Sequence, residues 1–221
     1  MLSVLRTRGA ALSLSPEQIQ AILQPYCSGT SVEICAKIKI YIDLLYFWNR
    51  KISLTAIDDE EEVVRFHFGE SVYALTLEDF NHGRLADVGA GAGFPGLAIK
   101  LSHPDIAITL IEPNKKKCAF LNEVARKLEF SNVEVLCATF ESSKIQSGTL
   151  GYVASRALGK TDKLLHWAKA KLAPDGRVVL WAGAADAVEI TQTRGWNWTK
   201  VVKIPATAQR LIVVGIPEIT P

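Results

Sequence analysis

Asp87-Val88-Gly89-Ala90-Gly91-Ala92-Gly93-Phe94-Pro95-Gly96 is a glycine-rich turn, and its flanks say what it joins. Leu85 to Val88 reads as a short buried strand and Pro95 to Ser102 as the helix that follows. Such a turn needs glycine because the backbone bends sharply and a ligand must approach where a Cβ would collide. Gly91-x-Gly93-x-x-Gly96 satisfies the dinucleotide fingerprint formally, but that pattern is weak alone. In a dinucleotide site the first glycine follows the strand directly, whereas Asp87-x-Gly89 precedes it here. A carboxylate at that strand end repels a pyrophosphate, yet it can accept a hydrogen bond from an amine or a hydroxyl.

Working outward, strands and helices alternate. Ile106 to Ile111, Val133 to Ala138, Tyr152 to Ser155 and Arg177 to Trp181 read as further strands. Asn114 to about Glu129, Thr161 to Leu172 and Asp186 to Arg194 read as helices. Alternation of this kind implies a parallel sheet covered on both faces. Thr199 to Ile204 and Arg210 to Gly215 follow as two strands with no helix between them, which implies an antiparallel ending. Upstream the chain reads helical. Ser15-Pro16-Glu17-Gln18 is a capping box, and Thr30 to Glu33 repeats the pattern. Ile34, Ile38, Tyr41, Leu45 and Trp48 then recur at helical spacing. Asp58 and Glu61 open a third helix carrying Val63, Val64, Phe66 and Phe68. The expected organisation is a helical segment, 1–81, packed on an α/β domain, 82–221.

Composition narrows the function. The 221 residues include 25 basic and 23 acidic side chains, a net charge of +2, so any nucleic-acid site must be a local patch. Cys27, Cys35, Cys118 and Cys137 form no C-x-x-C pair, and His67, His82, His103 and His166 lack ligand spacing. No metal site, disulfide framework, membrane span or secretory signal is expected, and a reducing cytoplasm is the expected location.

Asp-x-Gly-x-Gly-x-Gly at the end of a first strand is the pattern of S-adenosylmethionine-dependent methyltransferases with a doubly wound, Rossmann-like sheet. Asp87, Gly89, Gly91 and Gly93 are the candidate donor loop. Glu112, at the end of the second strand, is the candidate acceptor for ribose hydroxyls. The Phe-Pro-Gly extension, Phe94 to Gly96, resembles the glucose-inhibited division protein B family (RsmG), bacterial enzymes that methylate N7 of a guanine in small-subunit (16S) ribosomal RNA. Leu54-Thr55-Ala56-Ile57, His67-Phe68-Gly69-Glu70-Ser71, Lys116-Lys117-Cys118-Ala119-Phe120-Leu121 and Ser155-Arg156-Ala157 are similar to further family elements in the same order. The resemblance spans about residues 46 to 216.

It implies that Gly89, Phe94, Phe140, Glu141 and Arg156 contact the donor, the first four as binding groups and Arg156 also as a group positioning donor or substrate. The residues present agree with the chemistry. N7 carries an in-plane lone pair and no proton, so transfer needs in-line placement and dryness rather than a general base. The sequence has no Pro-Cys nucleophile of the kind base C5 methylation requires. Arg50, Lys51, Arg65, His67, Lys116 and Lys117 are candidates for RNA phosphates. Ser53, Phe66, Thr139 and Ala182 depart from the family pattern on the substrate side. A monomer acting on small-subunit ribosomal RNA or the small subunit is expected, and no membrane partner. Two other readings stay open: a small-molecule methyltransferase on the same fold, and a non-catalytic RNA- or ribosome-binding module.

Overall fold

The computed structural model describes residues 13–81, 83–156 and 159–218. His82, Ala157 and the stretch before residue 13, where the absence of a signal was expected, lie outside the described residues.

Helix α1 (Pro16–Leu23) opens on the expected box: Ser15 accepts from the Gln18 N–H while the Gln18 side chain accepts from the Ser15 N–H. Helix α2 (Val32–Asn49) is capped by Ser31 rather than Thr30, whose hydroxyl donates to the Cys27 carbonyl. The next cap is Asp59, which accepts from Glu62 N–H, rather than Asp58. In both places two good caps stand side by side, so the spacing rule fits either and packing chooses. The third helix is also not one helix. Helix α3 (Glu60–Val63) runs into a wide π-helical turn, Val64–Gly69, then α4 (Glu70–Val72) and a tight 3-10 turn, Tyr73–Thr76.

Strands β1 (Arg84–Val88), β2 (Ile108–Ile111), β3 (Val133–Leu136), β4 (Leu150–Arg156), β5 (Leu172–Gly183), β6 (Trp196–Lys203) and β7 (Arg210–Pro217) form one sheet in the order β3-β2-β1-β4-β5-β7-β6. The first five are parallel, and β7 inserts antiparallel between β5 and β6. Helices α5 (Gly96–Ser102), α6 (Lys115–Lys127), α7 (Thr161–Lys171) and α8 (Ala184–Thr191) make the crossovers. Reversal of strand order occurs between β1 and β4, where open α/β sheets bind ligands at their carboxyl edge.

Two apolar clusters flank the sheet. One joins α1, α2 and the π-turn to α5, α6 and strand residues such as Leu85, Leu110, Tyr152 and Trp181. The other joins α7 and α8 to Ala86, Val153, Leu180 and Val213. The helical segment therefore shares a core with the sheet. Its end is pinned as well: buried Glu78 pairs with Arg177 of β5 and with Lys200 of β6 at 2.7 Å, and Lys200 also bonds the Leu77 carbonyl.

Coverage is incomplete at one edge, contrary to the expectation of two covered faces. Residues 137–149 between β3 and β4 contain no helix, and a groove of about 680 Å³ remains there. Across its floor Arg84 bonds Thr109 and Glu134 at 3.0 and 2.8 Å. Among the described residues no helix is long and apolar enough to cross a membrane.

Candidate active site

The glycine loop caps the carboxyl ends of β1 and β2. Gly89, Gly91 and Gly93 have φ of +74°, +56° and +88°, a region L side chains rarely adopt. At Gly93 space is also absent: a Cβ would stand 2.1 Å from the Tyr41 hydroxyl and 2.8 Å from Leu97. At Gly91 the opposite holds, since a Cβ would meet only the Gly89 carbonyl, at 3.7 Å. The loop is thus tightly backed on one side and open in front.

Two carboxylates hold it. Asp87, fully buried, accepts from Gly96 N–H at 2.8 Å through Oδ2, while its Oδ1 has no partner among the described residues. Burial pushes its carboxyl up to about 7, against the lowering effects of the Gly96 bond and Arg156. Glu112 accepts from Gly91 N–H and from Asn114 N–H, both at 2.9 Å. Glu112 thus links the end of β2 to the loop, and each oxygen keeps a second lone pair. An orphaned buried oxygen, open space before Gly91 and a carboxylate at the second strand end fit a donor carrying amine and hydroxyl groups. Phe140 lies buried edge-on against Trp167, and exposed Glu141 follows it in the loop after β3.

Aromatic rings seat the loop on the helical segment. Tyr41 donates to the Ala92 carbonyl at 2.6 Å and stacks with Phe94. His67 also stacks with Phe94, its ring centroid 4.7 Å away, and Phe68 meets both Tyr41 and Phe94 edge-on.

His67 is not the solvated cation expected for phosphates. Its Nε2 pairs with Thr55 Oγ1 at 2.8 Å, and its Nδ1 is enclosed without a partner among the described residues. Burial, with Arg156 and Arg210 nearby, pushes it down to about 3, so it is neutral at physiological pH.

Arg156 has its donors occupied by the helical segment. It donates to the Phe66 carbonyl at 3.0 Å and Glu70 Oε2 at 3.1 Å, with longer approaches to the His67 carbonyl and Ser71 Oγ. A π-turn interrupts the regular i→i−4 ladder, and Arg156 serves carbonyls at that interruption. Trp181 Nε1 donates to the Glu70 carbonyl at 2.6 Å, and Arg210 lies 4.0 Å from Glu70 Oε1. Thr55, Tyr41, Glu70, Trp181 and Arg210 had no assigned role in the sequence. Thr55 and Glu70 stood in sequence elements similar to the family's, and Tyr41 at a helical apolar position; Trp181 and Arg210 carried only strand signals.

The other cationic candidates lie apart from this cluster. Trp48 packs against Phe120, which sets the end of α2, with exposed Arg50 and Lys51, beside α6. Lys116 and Lys117 stand in the first turn of α6, where Asn114 caps their amides. Arg65 is tied to Glu61 at 2.5 Å. Of the departures from the family pattern, Thr139 closes a turn with Ser142, Ala182 is buried opposite Leu211, Ser53 is exposed, and Phe66 lends only its carbonyl.

Sheet order, reversed seventh strand and the loop-to-Glu112 bridge define the Rossmann-like fold of S-adenosylmethionine-dependent methyltransferases. A crystal structure of such a methyltransferase from Aquifex aeolicus has this fold, with a TM-score of 0.58 and 16% identity over 80% of this chain and 98% of that one. The family model for rRNA small subunit methyltransferase G matches residues 34–210, and the chain belongs to that family. Ribosomal RNA small subunit methyltransferase G of Oceanobacillus iheyensis is 33% identical over 80% of this chain and 76% of its own length. The protein of that name from Paramagnetospirillum magneticum is 37% identical over 78% and 82%.

Proposed function

We propose that the protein transfers a methyl group from S-adenosylmethionine to N7 of a guanine in small-subunit ribosomal RNA, acting as a cytoplasmic monomer. The observation that carries this reading is the left-handed glycine loop bridged to Glu112 at the carboxyl edge of the sheet, in a chain of this family. When bound, the donor supplies an electrophilic methyl on a sulfonium.

The chain's own groups hold and orient. Gly89, Gly91 and Gly93 let the backbone approach the donor, and Glu112 accepts from its ribose hydroxyls. Asp87 fixes the loop through Gly96 and offers Oδ1 to the donor's amine. Phe140 and Glu141 present main-chain groups to the adenine. Phe94, stacked between Tyr41 and His67, walls the site against water. Arg156 positions this wall by holding the π-turn, and reaches donor or substrate only by exchanging those carbonyls. No residue needs to remove a proton from N7, and the neutral, Thr55-bound His67 agrees with that. Arg50, Lys51, Lys116 and Lys117 supply phosphate contacts, with Arg65 weakened by its Glu61 partner.

Labelled S-adenosylmethionine with small subunits from a strain lacking this activity tests the reading. Label in RNA with one strong borohydride-aniline cleavage, which cuts at N7-methylguanine, is the expected result. Donor at one hundred times its Kd should also stabilise the fold by about 2.7 kcal/mol, and a nicotinamide dinucleotide should not. Donor binding with no label in RNA would reject the proposal.

A further inference from the structure

Arg210 opens β7, and because β7 runs antiparallel its first residue stands at the carboxyl edge of the sheet, opposite Gly183 at the end of β5. The donor loop, Glu112 and the loop after β3 lie on the other side of β4, over β1, β2 and β3. Three strand spacings separate β1 from β7, about 14 Å. A methyl acceptor brought to the crevice at β4 from the open side therefore lies over β5 and β7.

Arg210 is a cation on that side, beside exposed Lys203 at the end of β6, and it is the one that approaches Glu70. Its side chain is 47% exposed, and among the described residues its guanidinium makes no hydrogen bond, only the 4.0 Å approach to Glu70. Glu70 is already held by Arg156 at 3.1 Å, and Trp181 takes its carbonyl. His67 is neutral. Glu70 thus holds Arg156 closely and Arg210 only at a distance, which leaves the Arg210 guanidinium, with its fork of donors, open to solvent. Asp186, at the start of α8, forms no ion pair with it among the described residues.

We infer that Arg210 binds a backbone phosphate of the RNA strand that carries the target nucleotide, fixing that nucleotide over the β4 crevice. The inference rests on the function proposed above. A planar guanidinium with free donors suits bidentate phosphate recognition. The donor's carboxylate is the competing anion, and the strand separation argues against it.

The test uses full-length protein and unmodified small subunits, comparing Arg210→Gln with Arg210→Lys. Filter binding over a salt series reads the slope of log K against log salt, label transfer reads KM and kcat, and calorimetry reads donor affinity without RNA. Arg210→Gln should raise KM about tenfold and flatten the slope by about 0.7, leaving kcat within about twofold and donor affinity unchanged. Arg210→Lys should restore the slope. Thermal unfolding checks that both variants fold. A wild-type slope and KM for Arg210→Gln would overturn the inference. So would weakened donor binding with intact RNA binding, which would give Arg210 to the donor. If the wild-type protein transfers no label, the function proposed above falls, while the salt slopes still decide the phosphate contact.

Discussion

A Cβ on Gly93 would collide with the Tyr41 hydroxyl at 2.1 Å while φ stays at +88°, so Gly93→Ala must either strain the loop or lift it from α2. We expect a loss of roughly 2–5 kcal/mol in urea unfolding, and weakened donor binding in calorimetry. His67 gives a prediction with a sign. Its folded value near 3 lies below the ordinary 6.5, so between these the unfolded chain takes up a proton that the folded chain refuses. The stabilisation is complete above pH 6.5 and is lost as pH falls toward 3. The stability of the wild-type protein should therefore fall more steeply across this range than that of His67→Phe. Equal slopes in denaturant titrations at each pH would contradict the burial of this ring.

At the scale of elements, the π-turn, Glu70 and Arg156 behave as one unit. Arg156→Met leaves Glu70, only 2% exposed in its side chain, without its nearest cation, and leaves the Phe66 carbonyl unserved. A loss of about 3–5 kcal/mol is expected, and Glu70→Gln in the same chain should recover part of it. Additive losses in that double-mutant cycle would show that the two side chains are independent. This unit also marks where sequence reading stops. Strands, crossovers and the antiparallel ending were legible because alternation, glycine punctuation and caps are local signals. The placement of Asp87, Glu112 and the glycines together at the carboxyl edge was legible for the same reason, each being tied to a strand end. The partners of Arg156 lie 85 to 90 positions away, and no spacing rule reaches across that separation. The π-turn was hidden too, since Val63, Val64, Phe66 and Phe68 fit an ordinary helix equally well.

For the whole molecule, the shared core decides how the helical segment behaves. Tyr41, Phe68 and Phe94 belong to one apolar cluster with Leu97, Leu121 and Tyr152, and Glu78 bolts the segment's end to β5 and β6. A chain beginning at residue 82 should be poorly soluble and should fail to bind donor in calorimetry. A folded, donor-binding fragment would mean the segment is a separate body. Glu78→Ala in the full chain, which strands Arg177 and Lys200, should lower stability by about 3 kcal/mol. Net charge adds a further expectation. At +2 the protein has little general attraction for polyanions, so unstructured RNA should compete poorly with the small subunit in filter binding.

The insertion of β7 between β5 and β6 also sets an order of events during synthesis. β6 is made first, yet β7 is its sole neighbour in the sheet, so β6 has nothing to pair with until the residues from 210 onward are made. Until then the β5 edge, with Val178, Val179 and Leu180, is an unfilled slot open to any extended chain. A ribosome stalled before residue 210 would carry a nascent sheet with a sticky margin, a natural substrate for chaperones.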